Sequence, residues 1–216
     1  VQTGPRGYSW VPVEPATLMW NEALDGGNPR NKVPFRDKLM KFSAPFTGTA
    51  TEVLKTENRA AGRQFGEKDG LMWFGDSNPD TAMRRTFVTD YRNPVNVKKI
   101  VDLNVNDRYN DIGNPVMRQL PNGSNVIRQN GDEIFLTGIG ASPQGDRPFF
   151  RRMNLKTGKI DEIWRAGTEE YESFAGMIDD NGMNFFTRKE SVTEPSNLFQ
   201  RQVCPAGQTC TALAYK

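Results

Sequence analysis

The stretch that decides the fold is Phe150-Arg-Arg-Met-Asn-Leu155, Lys156-Thr-Gly158, Lys159-Ile-Asp-Glu-Ile-Trp164. Two runs that mix apolar and charged residues flank the short segment Lys156-Thr-Gly158. That segment carries the glycine that a tight turn between antiparallel strands needs. The pattern therefore predicts a β-hairpin.

The same order of strand, turn and strand occurs four times along the chain. The other three hairpins are predicted over residues 38–54, 86–101 and 197–213. The second strands end at Leu54, Val101, Trp164 and Leu213, which are 47, 63 and 49 residues apart. A repeat of roughly 40–50 residues is typical of one blade of a β-propeller.

A further pair of strands is predicted before each hairpin. These inner pairs are 8–12 with 17–24, 63–65 with 71–74, 116–120 with 125–129, and 173–178 with 183–188. We therefore predict an all-β fold, a partial β-propeller of about four four-stranded antiparallel blades, at roughly 5–57, 58–104, 113–166 and 170–216. The long middle interval is attributed to an insertion at Gly131–Arg147. Four blades close a small ring or form part of a larger one whose edges need covering.

Composition excludes several classes of function. The 216 residues include 28 Lys and Arg against 26 Asp and Glu, a net charge of +2, which argues against a nucleic-acid partner. No run approaches the roughly 18 apolar residues of a membrane span, so none is expected. There is no histidine, so this chain alone completes neither a Ser–His–Asp triad nor a His-ligated zinc site. Val1 is no N-terminal nucleophile and no signal-peptide pattern follows it, so a processed or truncated piece is expected.

Three blocks of sequence carry a resemblance to a known family. They are Tyr8-Ser-Trp-Val-Pro12 with Thr17-Leu-Met-Trp20 and Glu22–Asn28, Asp37–Phe46, and Arg118-Gln-Leu-Pro-Asn-Gly123 with Ile134–Phe149. Together they resemble the N-terminal β-propeller of prolyl-oligopeptidase-family serine peptidases, in the glutamyl endopeptidase-like branch of bacteria and plant chloroplasts. The resemblance runs from Tyr8 to Leu198, and its most specific part is Gly140-Ala-Ser-Pro-Gln-Gly-Asp-Arg-Pro-Phe149.

The resemblance implies a role without catalytic residues in this chain. Family members carry a C-terminal α/β-hydrolase domain with a Gly-x-Ser-x-Gly motif, which this sequence lacks. The implied function is a propeller portion that caps the active site and filters peptide substrates by size. Its implied partners are further blades and the hydrolase domain of the parent peptidase, or a second copy. No cofactor or metal is expected. A stand-alone protein- or peptide-binding module and a propeller glycosidase that uses Asp and Glu remain alternatives.

Four residues are the candidate site residues. Through the family, Asp146 and Arg147 lie on a long propeller loop near the hydrolase domain or the pore, where an Arg could contact an acidic substrate side chain. A structural salt bridge or turn anchor is the competing interpretation. Cys204 and Cys210 fall on the two strands of one predicted hairpin, so a disulfide is predicted. A disulfide implies an oxidising compartment, hence a periplasmic or secreted protein rather than a chloroplast or cytoplasmic one.

Three other patterns favour structural interpretations. Asp102–Asp111 begins like a calcium loop, but Asp107 and Gly113 occupy positions that need Gly and Glu, so a solvated loop is expected. Gly138-Ile-Gly-Ala-Ser142 is followed by Pro143, which prevents a phosphate-binding helix, so a flexible β-loop is expected. The four tryptophans are expected to pack between blades, namely Trp10, Trp20, Trp73 and Trp164.

Overall fold

A computed structural model describes residues 2–203 with their side chains and residues 209–215 as backbone. Within these ranges the chain contains strands and turns and no helix, which confirms the all-β prediction. Two compact units are present. The first comprises the residues up to Asn106 with Gln119–Val126, and the second comprises Asp107–Arg118 with the residues from Ile127 onward.

The first unit contains two four-stranded antiparallel sheets whose strands follow chain order. Sheet 1 consists of β1 (Arg6–Trp10), β2 (Thr17–Ala23), β3 (Asp37–Ser43) and β4 (Thr51–Thr56). Sheet 2 consists of β5 (Arg59–Phe65), β6 (Leu71–Asn78), β7 (Met83–Asp90) and β8 (Lys98–Asn104). One apolar core joins them, formed by Val11, Met19, Leu39, Phe65, Met72, Phe74 and Tyr91.

Shorter strands follow, most of them in the second unit. The segment after β8 contains β9 (Asn114–Pro115), β10 (Met117–Gln119), β11 (Asn125–Ile127), β12 (Gln129–Asn130), β13 (Glu133–Gly138), β14 (Ala141–Ser142) and β15 (Gly145–Asp146). It continues with β16 (Phe149–Asn154) and β17 (Ile160–Arg165). Sheet 3 has the order β12-β13-β16-β17, and β9 pairs with β13 beside β12. Two short segments thus share the place of a single edge strand.

Sheet 4 completes the second unit. Its strands are β18 (Tyr171–Met177), β19 (Asn184–Glu190), β20 (Asn197–Val203) and β21 (Thr209–Tyr215), again in chain order and antiparallel. The core of the second unit is largely aromatic. It contains Val116, Phe135, Phe150, Trp164, Ala166 and Phe185. Consecutive antiparallel four-stranded sheets of this kind make the chain a partial β-propeller. The blade limits at 5–57, 58–104, 113–166 and 170–216 stay a prediction.

The predicted insertion at Gly131–Arg147 is wrong. Its first part is β13, which pairs with β16 along its whole length, from Glu133 opposite Asn154 to Gly138 opposite Phe149. The side chains of Ile134, Phe135 and Leu136 are fully buried, so this strand is covered on both faces. The inner pair predicted at 116–120 and 125–129 does form, as β10 paired with β11, but it is a separate two-stranded sheet, and β9 and β12 occupy the edge beside β13 instead.

The tryptophans divide into two groups. Trp20, Trp73 and Trp164 are buried, with at most 9% of each side chain exposed, as expected of residues packed in blades. Trp10 is different, because 59% of it is exposed.

Candidate functional site

The candidate site is a small cavity in the second unit with a volume of about 120 Å³. Arg108 and Asp111 line it from the loop before β9, and Asn114 lines it from the start of β9. Ile139, which follows β13, and Phe149, the first residue of β16, also line it. The cavity therefore lies where the resemblance is most specific. Its lining combines charged side chains, an amide and an aromatic ring.

Two glycines make room for the cavity. A Cβ on Gly138 would lie 2.6 Å from Cζ of Phe149, and one on Gly113 would lie 2.5 Å from the carbonyl oxygen of Thr137. Gly113 also has a φ of 91°, which residues with a side chain rarely adopt. The close approach of backbone and ring therefore requires glycine at both positions.

Beside the cavity lies a small hairpin of β14 and β15, which contains Ala141 and Ser142 of the segment Gly138–Ser142 that was predicted as a flexible loop. The Ser142 hydroxyl donates to the carbonyl of Gly145 at 2.7 Å, and the Arg147 amide donates to the carbonyl of Gly140 at 2.9 Å. Gly140 has a φ of 66°, and a Cβ there would lie 2.0 Å from the Arg147 carbonyl oxygen. The hairpin is therefore held at its tip and at its base.

The two predicted substrate-contact residues have different surroundings. Arg147 is half-buried, and its Nε donates to the carbonyl of Ala166 at 3.0 Å. Its own carbonyl accepts a hydrogen bond from Nη1 of Arg165 at 3.2 Å. This geometry is that of a turn anchor. Asp146 is exposed at the end of the hairpin, and neither side chain lines the cavity.

Two guanidinium groups pack against the ring of Phe149. Those of Arg151 and Arg165 lie 3.8 and 5.3 Å from its centroid. Glu162 accepts hydrogen bonds from both, at 3.3 Å from Nε of Arg151 and 3.0 Å from Nε of Arg165. The bond from Arg165 is the main reason that the pKa of Glu162 lies below its usual value, although burial opposes this. Glu162 stays ionised and fixes this wall.

Sequence reasoning missed Arg108 and Asp111. Oδ1 of Asp111 accepts a hydrogen bond from the amide of Gly113 at 2.9 Å, which shapes the loop. Arg108 is exposed and makes no hydrogen bond or ion pair with the part of the chain that the structure describes. The only signal in the sequence was the polar segment that failed as a calcium loop.

That calcium-like segment is held by its own contacts. Asp102 pairs with Lys99, and Asp107 accepts hydrogen bonds from the amide and Nδ2 of Asn110, at 3.2 and 2.9 Å. Across residues 2–203, no three acidic or sulfur-bearing side chains are placed to hold a metal ion. These contacts agree with a solvated loop.

Three buried carboxylates, Asp37, Asp76 and Glu172, are bound by arginines. Their partners are Arg59 for Asp37 at 2.6 Å, Arg85 for Asp76 at 2.8 Å, and Arg201 for Glu172 at 2.7 Å. A glycosidase needs two carboxylates that are free to act on one bond. These paired side chains do not offer such an arrangement.

The predicted disulfide between Cys204 and Cys210 lies outside the described residues, because Cys204 is not among them. Cys210 lies on β21, with its Cα opposite that of Gln202 on β20. The disulfide stays a prediction.

Comparison with known proteins gives clear relatives. No family model matches the sequence. A protein of Oryza sativa subsp. japonica named probable glutamyl endopeptidase, chloroplastic, is 31% identical over 216 aligned residues, which cover 92% of this chain and 23% of the relative. An Arabidopsis thaliana protein of the same name is 32% identical over 212 aligned residues, covering 90% of this chain and 22% of the relative.

Two solved structures are similar to this chain at low sequence identity, and the first of them shares its fold. An uncharacterized protein of Listeria monocytogenes EGD-e matches 94% of this chain and 51% of its own, with a TM-score of 0.51 and 8% identity. The β-propeller domain of the Trilobed protease from Pyrococcus furiosus covers 99% of this chain, and 56% of that domain is matched, with a TM-score of 0.47 and 9% identity.

The fold and the relatives together define the class. The chain is a β-propeller portion of a peptidase-family protein. Its sequence is similar to those of the rice and Arabidopsis proteins named probable glutamyl endopeptidase, and it spans less than a quarter of their length. Both relatives are named chloroplastic, which does not support a periplasmic or secreted location and leaves the compartment open. Among the described residues there is no helix that could cross a membrane.

Proposed function

We propose that this chain is the noncatalytic β-propeller portion of a glutamyl-endopeptidase-like serine peptidase. In that protein it would limit which peptides reach the active site and support a hydrolase domain formed by other residues. The similarity to the plant proteins carries the proposal, because it extends over 90–92% of this chain and only 22–23% of theirs. The sequence also lacks histidine, so the triad of such a peptidase has to lie outside these residues.

The cavity supports a role in contacting peptides. Arg108 offers a guanidinium, Asn114 an exposed amide, and Phe149 an apolar wall. Such a combination suits a peptide that carries an acidic side chain, since arginine binds carboxylates through paired hydrogen bonds. Asp146 on the neighbouring hairpin is exposed and belongs to the same proposed contact surface.

Peptide hydrolysis tests the noncatalytic role. The purified 216-residue chain should not cleave peptides that contain glutamate, whereas the longer protein of which it is part should. Measurable cleavage by the chain alone, with a rate proportional to its concentration, would refute the proposal.

Shortening the hairpin tests the filtering role. In the longer protein, replacement of Ala141–Asp146 by a two-residue turn should raise kcat/KM for a protein substrate and leave that for a short glutamate peptide nearly unchanged. The matched control is an equal shortening of the exposed turn at Ser191–Pro195. If kcat/KM changed by the same factor for the protein substrate and the short peptide, this hairpin would not filter substrates by size.

We also propose that Cys204 and Cys210 form a disulfide and that the protein works in an oxidising compartment such as the periplasm or the cell exterior. Both cysteines belong to the predicted hairpin of the last sheet. Alkylation with iodoacetamide before and after reduction, followed by mass spectrometry, tests the pairing. Protein taken directly from its source should be labelled only after reduction, and label at both cysteines before reduction would contradict a disulfide and the compartment inferred from it.

A further inference from the structure

A buried guanidinium nitrogen in the first unit has no protein partner. Nη1 of Arg6 on β1 is buried and makes no hydrogen bond with residues 2–203, although Nη2 of the same side chain pairs with Asp37 at 2.5 Å. A buried donor that no protein group satisfies generally has a water or an ion beside it. Arg6 therefore indicates a small ligand within this unit.

Arg63 on β5 carries a positive charge without a counter-ion. Its Nη2 donates to the carbonyls of Gly7 and Met19, at 2.5 and 2.9 Å, and to the Ser9 hydroxyl at 2.8 Å. All three acceptors are neutral. Burial lowers the pKa of Arg63 to about 10, and no carboxylate among the described residues opposes this shift. The side chain is thus hydrogen-bonded, but its charge is not neutralised.

Asn21 on β2 brings the two arginines to one place. It lies opposite Arg6 in the strand register, so both side chains are on the same face of sheet 1. Nη1 of Arg63 lies 3.5 Å from its Oδ1. Asn21 is 8% exposed, and its Nδ2 makes no hydrogen bond with residues 2–203. Its amide therefore adds a further donor near the two guanidinium groups.

A very small cavity lies beside Asn21 and Arg63. Its volume is about 10 Å³, and none of the described residues that line it is acidic. The third polar lining residue, Thr56, uses its hydroxyl to donate to the carbonyl of Asn58 at 2.9 Å. A volume of this order holds one water-sized particle. The cavity therefore excludes phosphate and peptide carboxylates and leaves a single water or a monatomic ion.

Buried positive charge exceeds buried negative charge in this part of the first unit. Five arginines accompany three buried carboxylates, namely Arg6, Arg36, Arg59, Arg63 and Arg85 with Asp25, Asp37 and Asp76. The remaining carboxylate in these pairs, Glu57, is 63% exposed and lies largely in water. Buried charge is costly without a partner of opposite sign. A water molecule would satisfy a donor here, but only an anion would offset the excess charge.

We propose that the first unit binds one monatomic anion, a halide such as chloride, in the cavity between the Arg63 guanidinium and the Asn21 amide. The anion accepts hydrogen bonds from these two groups, and Arg6 faces it from the adjacent strand. It would fix β1 to β5, because Arg63 already joins these strands through Gly7 and Ser9. The site does not depend on the proposed peptidase role.

Bromide tests the position of the site directly. Crystals of the protein grown without halide and soaked in sodium bromide should give an anomalous difference peak between Arg63 and Asn21. Density for a water at this position, without an anomalous signal, would overturn the proposal.

Hydrogen exchange of the Trp10 amide on β1 tests binding in solution. Chloride is titrated against gluconate at constant ionic strength, with exchange in sheet 4 as the internal reference. At ten times its dissociation constant, chloride should slow exchange at Trp10 about tenfold, because only the closed form of the site binds the ion. Equal exchange in chloride and gluconate would show that no specific anion binds, and the proposal would be wrong.

A matched pair of variants assigns the effect to this site. Asn21→Asp supplies a carboxylate where the anion is proposed, so exchange at Trp10 should be slow in gluconate and insensitive to chloride. Asn28→Asp, at an exposed amide in the loop after β2, should keep the chloride response of the unmodified protein. If Asn21→Asp responds to chloride as strongly as Asn28→Asp, chloride binds elsewhere and the assignment fails. The bromide experiment uses the unmodified protein and stays decisive if Asn21→Asp does not fold.

Discussion

Arg59 on β5 donates a 2.6 Å hydrogen bond to Asp37, a fully buried carboxylate at the start of β3. The same guanidinium forms an ion pair with Asp25, which is 2% exposed. One side chain of sheet 2 therefore holds two buried carboxylates that belong to sheet 1 and the loop after β2. Within the first unit, these contacts link sheet 1 to sheet 2 through charged side chains that are not part of the apolar core.

Loss of Arg59 should be costly. Arg59→Met is expected to lower the free energy of unfolding by about 3–5 kcal/mol, because it leaves buried carboxylates without this counter-charge. Urea denaturation measures the change. The control is Arg92→Met, which breaks an exposed pair with Asp90 and should cost less than about 1 kcal/mol. If both variants lose a similar free energy of unfolding, the buried ion pairs of Arg59 stabilise the protein no more than the exposed pair of Arg92.

Acid should destabilise the protein through Asp25. Burial disfavours its charged form, but hydrogen bonds from Arg59 and the Gly27 amide outweigh burial, so the pKa of Asp25 is lowered in the folded state. The stabilisation is therefore present above the unfolded-state value of about 3.9 and is lost as the pH falls through the folded-state pKa. The thermal midpoint should fall below about pH 4, and Asp25→Asn should reduce that dependence. A midpoint that rises with acidity would contradict this assignment.

Gly138 should not tolerate a side chain. Gly138→Ala places a methyl group 2.6 Å from Phe149 and is expected to cost about 1–3 kcal/mol through overpacking. Gly167→Ala is the matched control, since its Cβ would meet nothing within 4 Å. Denaturant unfolding measures the stability of both variants. If Gly138→Ala is as stable as the unmodified protein, the Phe149 ring moves freely enough to admit the methyl group.

The aromatic core of the second unit should be its main source of stability. Phe150 is fully buried, with its ring centroid 5.6 Å from that of Phe135 and 4.5 Å from that of Phe174. Phe150→Ala is expected to cost about 3–5 kcal/mol. Tyr171→Ala, at a residue that is 50% exposed, should change stability by less than about 1 kcal/mol. Comparable losses in calorimetry would contradict this view of the core.

Arg63 should hold the edge strand β1 in place. Its Nη2 donates to the Ser9 hydroxyl at 2.8 Å and to the Met19 carbonyl at 2.9 Å, and burial lowers its pKa to about 10. Arg63→Met should speed hydrogen exchange of the Trp10 amide at least about tenfold and leave exchange in sheet 4 unchanged. A uniform acceleration would indicate global destabilisation instead.

Much of the candidate site was beyond sequence reasoning. The segment Gly140–Phe149 was singled out as the most specific part of the resemblance, and the cavity lies beside it. Within it, Arg147 was predicted as a possible substrate contact, but its guanidinium binds the Ala166 carbonyl. Sequence reasoning did not single out Arg108, because no periodic pattern distinguishes one charged residue in a polar loop from another. The direction of a long side chain depends on neighbours that are distant in sequence.

By itself, the sequence determined the local structure. Turn residues and apolar runs placed most strands, and the predicted first strand of the last hairpin coincides with β20, Asn197–Val203. Only the tertiary structure decided which segments pair. β13 was assigned to an insertion, because its partner β16 follows the hairpin of β14 and β15 in the sequence and its other edge is shared by β9 and β12. Strand formation depends on local residues, whereas pairing and burial depend on contacts between distant ones.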